Sequence, residues 1–159
     1  MTRIAVGDKA PPFTAKTQTG EPVSLADYLG KQVVVLYFYP RDGTPVCTAQ
    51  ACGFRDAYSD FVAAGAAVIG VSGDSSEKHR HFAEERKLPF LLISDQGGTL
   101  RKAFGVPKLL WLVPGRTTYV IDKAGVVRHV FTSHFSAGQH IEEALRMVRE
   151  LNDTAKDSI

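Results

Sequence analysis

The chain is poor in the residues that build covalent scaffolds and in long apolar runs. Among its 159 residues are only two cysteines, two methionines and one tryptophan. Two cysteines are too few for a disulfide-rich scaffold, and no run approaches the roughly 18 apolar residues of a membrane span. The opening segment Met1 to Asp8 also lacks the apolar region of a signal peptide. We therefore expect a cytoplasmic protein without a membrane partner, in which any disulfide is transient.

Other absences narrow the function further. The formal net charge is only +2 and the basic residues are scattered, so we expect no nucleic-acid partner. The segment Gly70 to Gly73 has neither the lysine nor the spacing of a phosphate-binding loop, so no cofactor is predicted. No histidine pair has zinc-ligand spacing on a helix face, so we expect no metal and mainly surface histidines. The five are His79, His81, His129, His134 and His140.

The acidic residues around the helix expected from Ser75 or Ser76 to Lys87 suggest no catalytic pair either. We interpret Asp74, Glu77, Glu84 and Glu85 as solvated charges of that helix. With 44% hydrophobic and 23% charged residues, the composition is that of an ordinary globular protein. The length suits a single domain over residues 1–159.

The order of apolar patterns predicts an α/β fold. Gln32 to Phe38 is a continuous β-branched and aromatic run, typical of a central strand that is covered on both faces. Apolar residues then recur at helical spacing from Pro45 to Gly65, and Ala66 to Ser72 is a second buried strand. We therefore expect a central mixed β-sheet flanked by helices.

The remaining predicted elements complete this alternation. They are a hairpin over 14–16 and 22–24, a helix from Ser75 or Ser76 to Lys87, a strand over 88–93, a short helix over 98–104, antiparallel strands over 117–121 and 126–131, and a last helix over 137–151.

A cysteine at the start of the first helix is the most informative feature. Thr44 is a good N-cap, and Pro45 suits the first helical position because its missing N–H would be unpaired there anyway. Cys47 then falls within the first turn, where unpaired amides and the helix dipole favour a thiolate over a thiol. A thiolate can attack a hydroperoxide and become a sulfenic acid, which a second thiol converts to a disulfide.

Cys52 is the other cysteine, but it cannot reach Cys47 on a regular helix. Five helical residues separate the Cα atoms by about 8.6 Å, whereas a disulfide requires less than about 7 Å. The helix must therefore unwind locally, and we hypothesise that Gly53 assists, because glycine weakens a helix by roughly 0.5 to 1 kcal/mol relative to alanine. The alternative, two buried structural cysteines, leaves this arrangement of cap, proline and cysteine unexplained.

The segment from Tyr39 to Cys47 resembles the active-site loop of peroxiredoxins, with the pattern Pro-xxx-Thr/Ser-xx-Cys. With the residues from Cys52 to Asp56, it is similar to the bacterioferritin-comigratory-protein or Q-type subfamily, and the likeness extends over nearly the whole chain. The resemblance implies a thioredoxin-like fold and a thiol-dependent peroxidase recycled by a thioredoxin- or glutaredoxin-like reductant.

The resemblance also implies roles for individual residues. Cys47 is the peroxidatic cysteine, and Pro40, Thr44 and Arg116 complete its pocket. Pro40 is expected to shield the sulfur, and the Thr44 hydroxyl to accept from the Cys47 amide and orient a peroxide oxygen. Arg116 is expected to direct its positive charge at the thiolate and the peroxide. Without the resemblance, Arg116 is equally well interpreted as a solvated charge at a strand end.

This chain departs from the subfamily at three places. Gln50 stands where many relatives have glutamate, and we expect that its neutral amide cannot pair with an arginine. Ala83 stands where some relatives carry the resolving cysteine, which leaves Cys52 for that role. The apolar stretch from Leu109 to Val113 is interpreted as a lid packed on the domain, with a surface for a partner, a dimer or an acyl hydroperoxide as the alternative.

Two other functions remain open from the sequence. One is a thiol–disulfide oxidoreductase acting on protein disulfides, and the other is a redox-sensing or chaperone-like module that exposes Phe54 when the helix opens. The subfamily analogy implies a monomer, with a weak dimer as the alternative.

Overall fold

The structure is a computed structural model that describes residues 3–106, 108–109, 113–114, 116–133 and 136–157. The helices are α1 (Pro45–Asp56), α2 (Tyr58–Ala63), α3 (Ser76–Arg86), α4 (Thr99–Phe104) and α5 (Ala137–Asp157), with a short 3₁₀ turn at Leu25–Asp27. The strands are β1 (Thr14–Lys16), β2 (Pro22–Ser24), β3 (Val33–Phe38), β4 (Ala66–Ser72), β5 (Leu91–Ser94), β6 (Lys108–Leu109), β7 (Val113–Pro114), β8 (Thr117–Ile121) and β9 (Val127–Thr132).

A five-stranded mixed sheet forms the centre of the molecule, in the order β5-β4-β3-β8-β9. Strands β3, β4 and β5 run parallel, whereas β8 is antiparallel to both β3 and β9. All six residues of β3 are buried, as expected for a central strand covered on both faces. The predicted α/β fold with a mixed sheet flanked by helices is confirmed.

The alternation of side chains along β3 supplies two cores. Val35 and Tyr37 pack with Phe54 of α1 and Val148 of α5 on one side of the sheet. Leu36 and its even-numbered neighbours pack with residues of α4 and the N-terminal segment on the other side. The sheet therefore lies between α1, α2, α3 and α5 on one face and α4 on the other.

The helix predicted from Pro45 to Gly65 is two helices. Ala57 breaks the ladder, with φ −94° and ψ 4°. Apolar periodicity could not reveal this break, because Phe54 and Phe61 keep their aromatic side chains in the same core on both sides of it. The break makes α1 a separate segment of 12 residues.

Three smaller predictions also need correction. The fifth strand begins at Leu91 rather than Leu88, because Lys87 ends α3 in the left-handed conformation, with φ 55°. The last helix continues to Asp157. Of the apolar stretch Leu109 to Val113, residues 110–112 lie outside the described residues, while β6 and β7 on either side pair antiparallel.

Not all of the histidines are surface residues. His79 and His140 are completely buried, and each ring has a hydrogen-bond partner at both nitrogens. For His140 of α5, the partners are the Thr118 hydroxyl at 2.7 Å and the Ser133 carbonyl at 2.7 Å. Internal partners of this kind offset the cost of burying an imidazole. His134 lies outside the described residues.

Candidate active site

Cys47 lies where the central strand passes into α1. After β3 ends at Phe38, a short loop leads to Thr44, which has the extended conformation of an N-cap, and Pro45 is the first helical residue. This is the arrangement predicted from the sequence, and it places Cys47 in the first turn. The Cys47 side chain is 1% exposed and belongs to the core beneath α1.

Arg116 contacts the sulfur directly. It immediately precedes β8, and the pairing of Thr117 with Phe38 brings the start of β8 beside the end of β3. The Arg116 Nη2 donates to Cys47 Sγ at 3.2 Å, and Arg116 is only 4% exposed. The interpretation of Arg116 as a solvated charge is therefore wrong. A buried cation at this distance stabilises negative charge on the sulfur.

Gln50 pairs with the same guanidinium. Arg116 Nη1 donates to Gln50 Oε1 at 2.5 Å, so the expectation that a neutral amide cannot pair with this arginine is wrong. The amide carbonyl accepts a hydrogen bond as a carboxylate would, but it carries no formal charge. Gln50 thus orients Arg116 without neutralising it, and the positive charge remains directed at Cys47.

Thr44 does not make the expected contact. Its hydroxyl donates to the Arg41 carbonyl at 3.1 Å, and α1 has no side-chain cap. Because the Thr44 proton is used within the loop, the oxygen lone pairs remain to accept from a ligand. Pro40, which begins the loop, is half-buried.

Cys47 and Cys52 are both free thiols on one continuous helix. Cys52 is half-buried, and regular helix geometry separates the two Cα atoms by about 8.6 Å. Gly53 has a packing role beyond the one hypothesised from the sequence. A Cβ atom at Gly53 would lie 2.8 Å from Ile141 Cδ1, so the glycine allows α5 to approach α1 closely.

A buried phenol lies behind the two cysteines. The Tyr37 ring stacks on Phe54 of α1, with centroids 4.6 Å apart. Burial, followed by repulsion from Asp42 and Cys47, raises the pKa of Tyr37 well above its ordinary value. The hydroxyl is therefore neutral under physiological conditions and cannot act as a base.

Sequence reasoning missed a polar cluster beneath the active-site loop. Ligand atoms of Asp42, Asp74 and His79 lie within 4.8 Å of one another, and Asp74 Oδ2 accepts from the Asp42 amide at 2.8 Å. The interpretation of Asp74 as a solvated helix charge is therefore wrong. The available signal was topological, because the carboxyl ends of the parallel strands β3 and β4 meet at one edge of the sheet.

The chain matches a known protein family over most of its length. The family model described as "AhpC/TSA family" matches residues 6–130. The chain belongs to the AhpC/TSA family. Peroxiredoxin Q proteins, both chloroplastic, of Sedum lineare and Arabidopsis thaliana are 53% and 52% identical over 152 and 150 residues. These alignments cover 95% and 94% of this chain and 81% and 69% of the relatives.

Solved structures give the same assignment. Peroxidoxin BcpB from Mycobacterium tuberculosis has a TM-score of 0.87 at 39% identity, covering 94% of this chain and 99% of that chain. A PrxQ mutant from Xylella fastidiosa has a TM-score of 0.86 at 26% identity, covering 95% and 99%. This member of the AhpC/TSA family is a thiol-dependent peroxidase of the Q-type peroxiredoxin group, and its fold is thioredoxin-like.

The comparisons overturn the expected cytoplasmic location. The curated relatives of Sedum lineare, Suaeda salsa, Triticum aestivum and Arabidopsis thaliana are all named chloroplastic, which contradicts that expectation. The prediction relied on the lack of a membrane span and of an apolar signal-peptide region near Met1, and neither feature distinguishes the cytoplasm from a plastid. Among the described residues, no helix is long and apolar enough to cross a membrane.

Proposed function

We propose that Cys47 is the peroxidatic cysteine. Its thiolate attacks the distal oxygen of a hydroperoxide, a sulfur–oxygen bond forms as the O–O bond breaks, and the leaving alkoxide or hydroxide takes up a proton. The sulfur is oxidised to a sulfenic acid and the peroxide is reduced to an alcohol or water. The observation that carries this assignment is the buried contact between Arg116 Nη2 and Cys47 Sγ at 3.2 Å.

Thr44, Arg116 and Pro40 complete the proposed pocket. The Thr44 oxygen accepts from the peroxide O–H, which orients the O–O bond toward the sulfur. The Arg116 guanidinium stabilises the charge that develops on the leaving oxygen. Pro40 offers no N–H at the start of the loop and limits hydration of the sulfur. Since Cys47 is 1% exposed, a small peroxide reaches it more readily than a protein disulfide does.

Cys52 is the proposed resolving cysteine. Its thiol attacks the Cys47 sulfenic acid, a disulfide forms, and water leaves. This step requires α1 to open, because its regular geometry holds the two Cα atoms too far apart. The protein is thereby an atypical two-cysteine enzyme, with both cysteines in one chain.

The proposed reductant is a thioredoxin- or glutaredoxin-like dithiol protein. One thiolate of the reductant attacks the exposed sulfur of the disulfide, its second thiol releases the mixed disulfide, and both cysteines return to thiols. Once α1 has opened, the half-buried Cys52 is the more accessible sulfur for this attack.

The proposed architecture is one domain over residues 1–159 that acts as a monomer. The five-stranded central sheet and the packing of α5 on α1 support one folding unit. The exposed large apolar side chains among the described residues, Val6, Leu29 and Val62, are widely spaced along the chain. A sizing column at working concentration tests the oligomeric state, and elution as a stable dimer contradicts the proposal.

Stopped-flow oxidation by hydrogen peroxide tests the assignment of the cysteines. We expect fast single-turnover oxidation in the parent, none in Cys47→Ser, and arrest at the sulfenic acid in Cys52→Ser, identified by trapping with a carbon nucleophile and mass spectrometry. Steady turnover with thioredoxin should occur only in the parent. Oxidation of the parent at the rate of a free cysteine, or full thioredoxin-dependent turnover in Cys52→Ser, would contradict it.

A further inference from the structure

We propose that His79 is a positioning residue for the active-site loop: as an imidazolium held between Asp42 and the Ile93 carbonyl, it fixes the segment that presents Thr44 to the peroxide. His79 lies on α3, is completely buried, and hydrogen-bonds to Asp42 and to the Ile93 carbonyl. This inference rests on the proposed function of the loop.

Both ring nitrogens of His79 lie within hydrogen-bonding distance of an oxygen atom. The Ile93 carbonyl lies 2.9 Å from His79 Nε2 and can only accept, so Nε2 carries a hydrogen. The Asp42 carboxyl lies 2.6 Å from Nδ1. Each ring nitrogen therefore faces an acceptor oxygen, the carbonyl at Nε2 and the carboxylate at Nδ1. Both nitrogens then donate, and the ring is a cation.

The surrounding charges support the cation. Asp42 and Asp74 bring two carboxylates to within 4.8 Å of the ring. The Asp42 side chain is only 7% exposed, so these charges receive little screening from solvent. The Tyr39 hydroxyl, which donates to Asp42 Oδ1 at 2.5 Å, supplies a hydrogen bond but no charge. An imidazolium offsets part of the negative charge.

Asp42 in turn anchors the active-site loop. Asp42 is contacted from three directions: by Tyr39 after β3, by Asp74 after β4, and by His79 of α3. The residue before Asp42 is Arg41, whose carbonyl accepts from the Thr44 hydroxyl at 3.1 Å. A shift of Asp42 therefore displaces the carbonyl that orients Thr44. The chain of contacts runs from His79 through Asp42 and Arg41 to Thr44.

Two variants and a matched control test the inference. His79→Gln removes the cation, Asp42→Asn removes the carboxylate charge with little change of shape, and His81→Gln alters an exposed histidine of the same helix. We expect the rate constant for single-turnover oxidation by hydrogen peroxide to fall about tenfold or more in His79→Gln. The double variant His79→Gln/Asp42→Asn should oxidise no more slowly than the slower of its two single variants, because both substitutions break the same contact. His81→Gln should match the parent.

A spectroscopic measurement separates positioning from loss of structure. In the parent at neutral pH, nitrogen-15 NMR of His79 should show two protonated ring nitrogens. In Asp42→Asn, one nitrogen should be unprotonated, because the asparagine amide donates to Nδ1. This readout remains decisive if His79→Gln does not fold.

The outcomes distinguish this inference from the proposed function. A neutral His79 ring in the parent overturns the inference. A His79→Gln variant that is oxidised as fast as His81→Gln also overturns it, and so do losses of rate that multiply in His79→Gln/Asp42→Asn. Each of these results is compatible with fast oxidation of the parent. Slow oxidation of the parent itself would instead refute the proposed peroxidatic role of Cys47.

Discussion

At the scale of single residues, Arg116 is shared between a sulfur and a neutral amide. Its Nη2 faces Cys47 and its Nη1 faces Gln50, both within hydrogen-bonding distance. A carboxylate at position 50 would accept the same hydrogen bond but would also neutralise the guanidinium. The amide therefore leaves more of the positive charge of Arg116 available to the thiolate and the departing oxygen.

This sharing predicts the effect of Gln50→Glu. The added carboxylate competes with the thiolate for Arg116, so we expect oxidation by hydrogen peroxide to slow about tenfold, which corresponds to about 1.4 kcal/mol. Gln139→Glu, which makes the same change at an exposed position of α5, should leave the rate unchanged. Stopped-flow kinetics on both variants checks the prediction. A Gln50→Glu variant at least as fast as the parent would show that Arg116 does not act through its net charge.

At the scale of secondary-structure elements, the contact of Gly53 with Ile141 joins α1 to α5. A Cβ atom at position 53 would lie 2.8 Å from Ile141 Cδ1. Gly53→Ala thus has two opposing effects: it favours the helix by roughly 0.5 to 1 kcal/mol, and it displaces Ile141. The nearest atom is the terminal methyl carbon of Ile141, followed by Ile141 Cγ1 at 3.2 Å, so the second effect depends mainly on that methyl group.

We therefore expect the effect of Gly53→Ala on the free energy of unfolding to be more favourable in an Ile141→Val background than in the parent. The difference between the two backgrounds should be about 1 kcal/mol. Urea unfolding of the four proteins measures the difference. Gly138→Ala is the matched control, because a Cβ atom there meets nothing within 4 Å, and its effect should be the same in both backgrounds. An equal effect of Gly53→Ala in both would mean that Ile141 does not constrain this position.

The elements also show how far the sequence could predict the site. Cys47, its cap and its proline lie within four residues of one another, so local helix rules were sufficient to place them. The partner of the sulfur could not be derived in this way, because Arg116 reaches Cys47 only through the pairing of β8 with β3. Without that register, a strand-end arginine is indistinguishable from a solvated charge, and the resemblance to peroxiredoxins was needed to single it out.

The polar cluster beneath the loop illustrates the same limit. Asp42, Asp74 and His79 come from three separate segments, and none has a partner at a recognisable spacing in the sequence. The fold class could be predicted because β3 and β4 are continuous apolar runs. The break at Ala57 could not, because a single-residue turn leaves the apolar periodicity unchanged.

At the scale of the whole molecule, the aromatic core sets an alkaline limit to stability. Burial raises the pKa of Tyr37 and Tyr39 well above the ordinary value, and raises that of Tyr119 to about 12. The folded state therefore favours the neutral phenols. Their contribution to stability is complete below the unfolded value of about 10 and is lost as the pH rises through the folded values.

We expect these three tyrosines to ionise only as the protein unfolds, above about pH 10. Tyrosinate absorbance and circular dichroism recorded on the same sample check this. The larger part of the absorbance change should coincide with the loss of secondary structure. Complete ionisation of all five tyrosines in a protein that retains its circular dichroism would contradict the burial seen here.

The central claim is that α1 holds Cys47 against Arg116 while it is intact, and brings Cys47 to Cys52 only when it opens. Amide hydrogen exchange of the reduced and the peroxide-oxidised protein tests this most directly. The account predicts that oxidation removes protection from the amides of α1 between Cys47 and Gly53, while β3 and β4 remain protected. A Cys47–Cys52 disulfide with undiminished protection across α1 would contradict it.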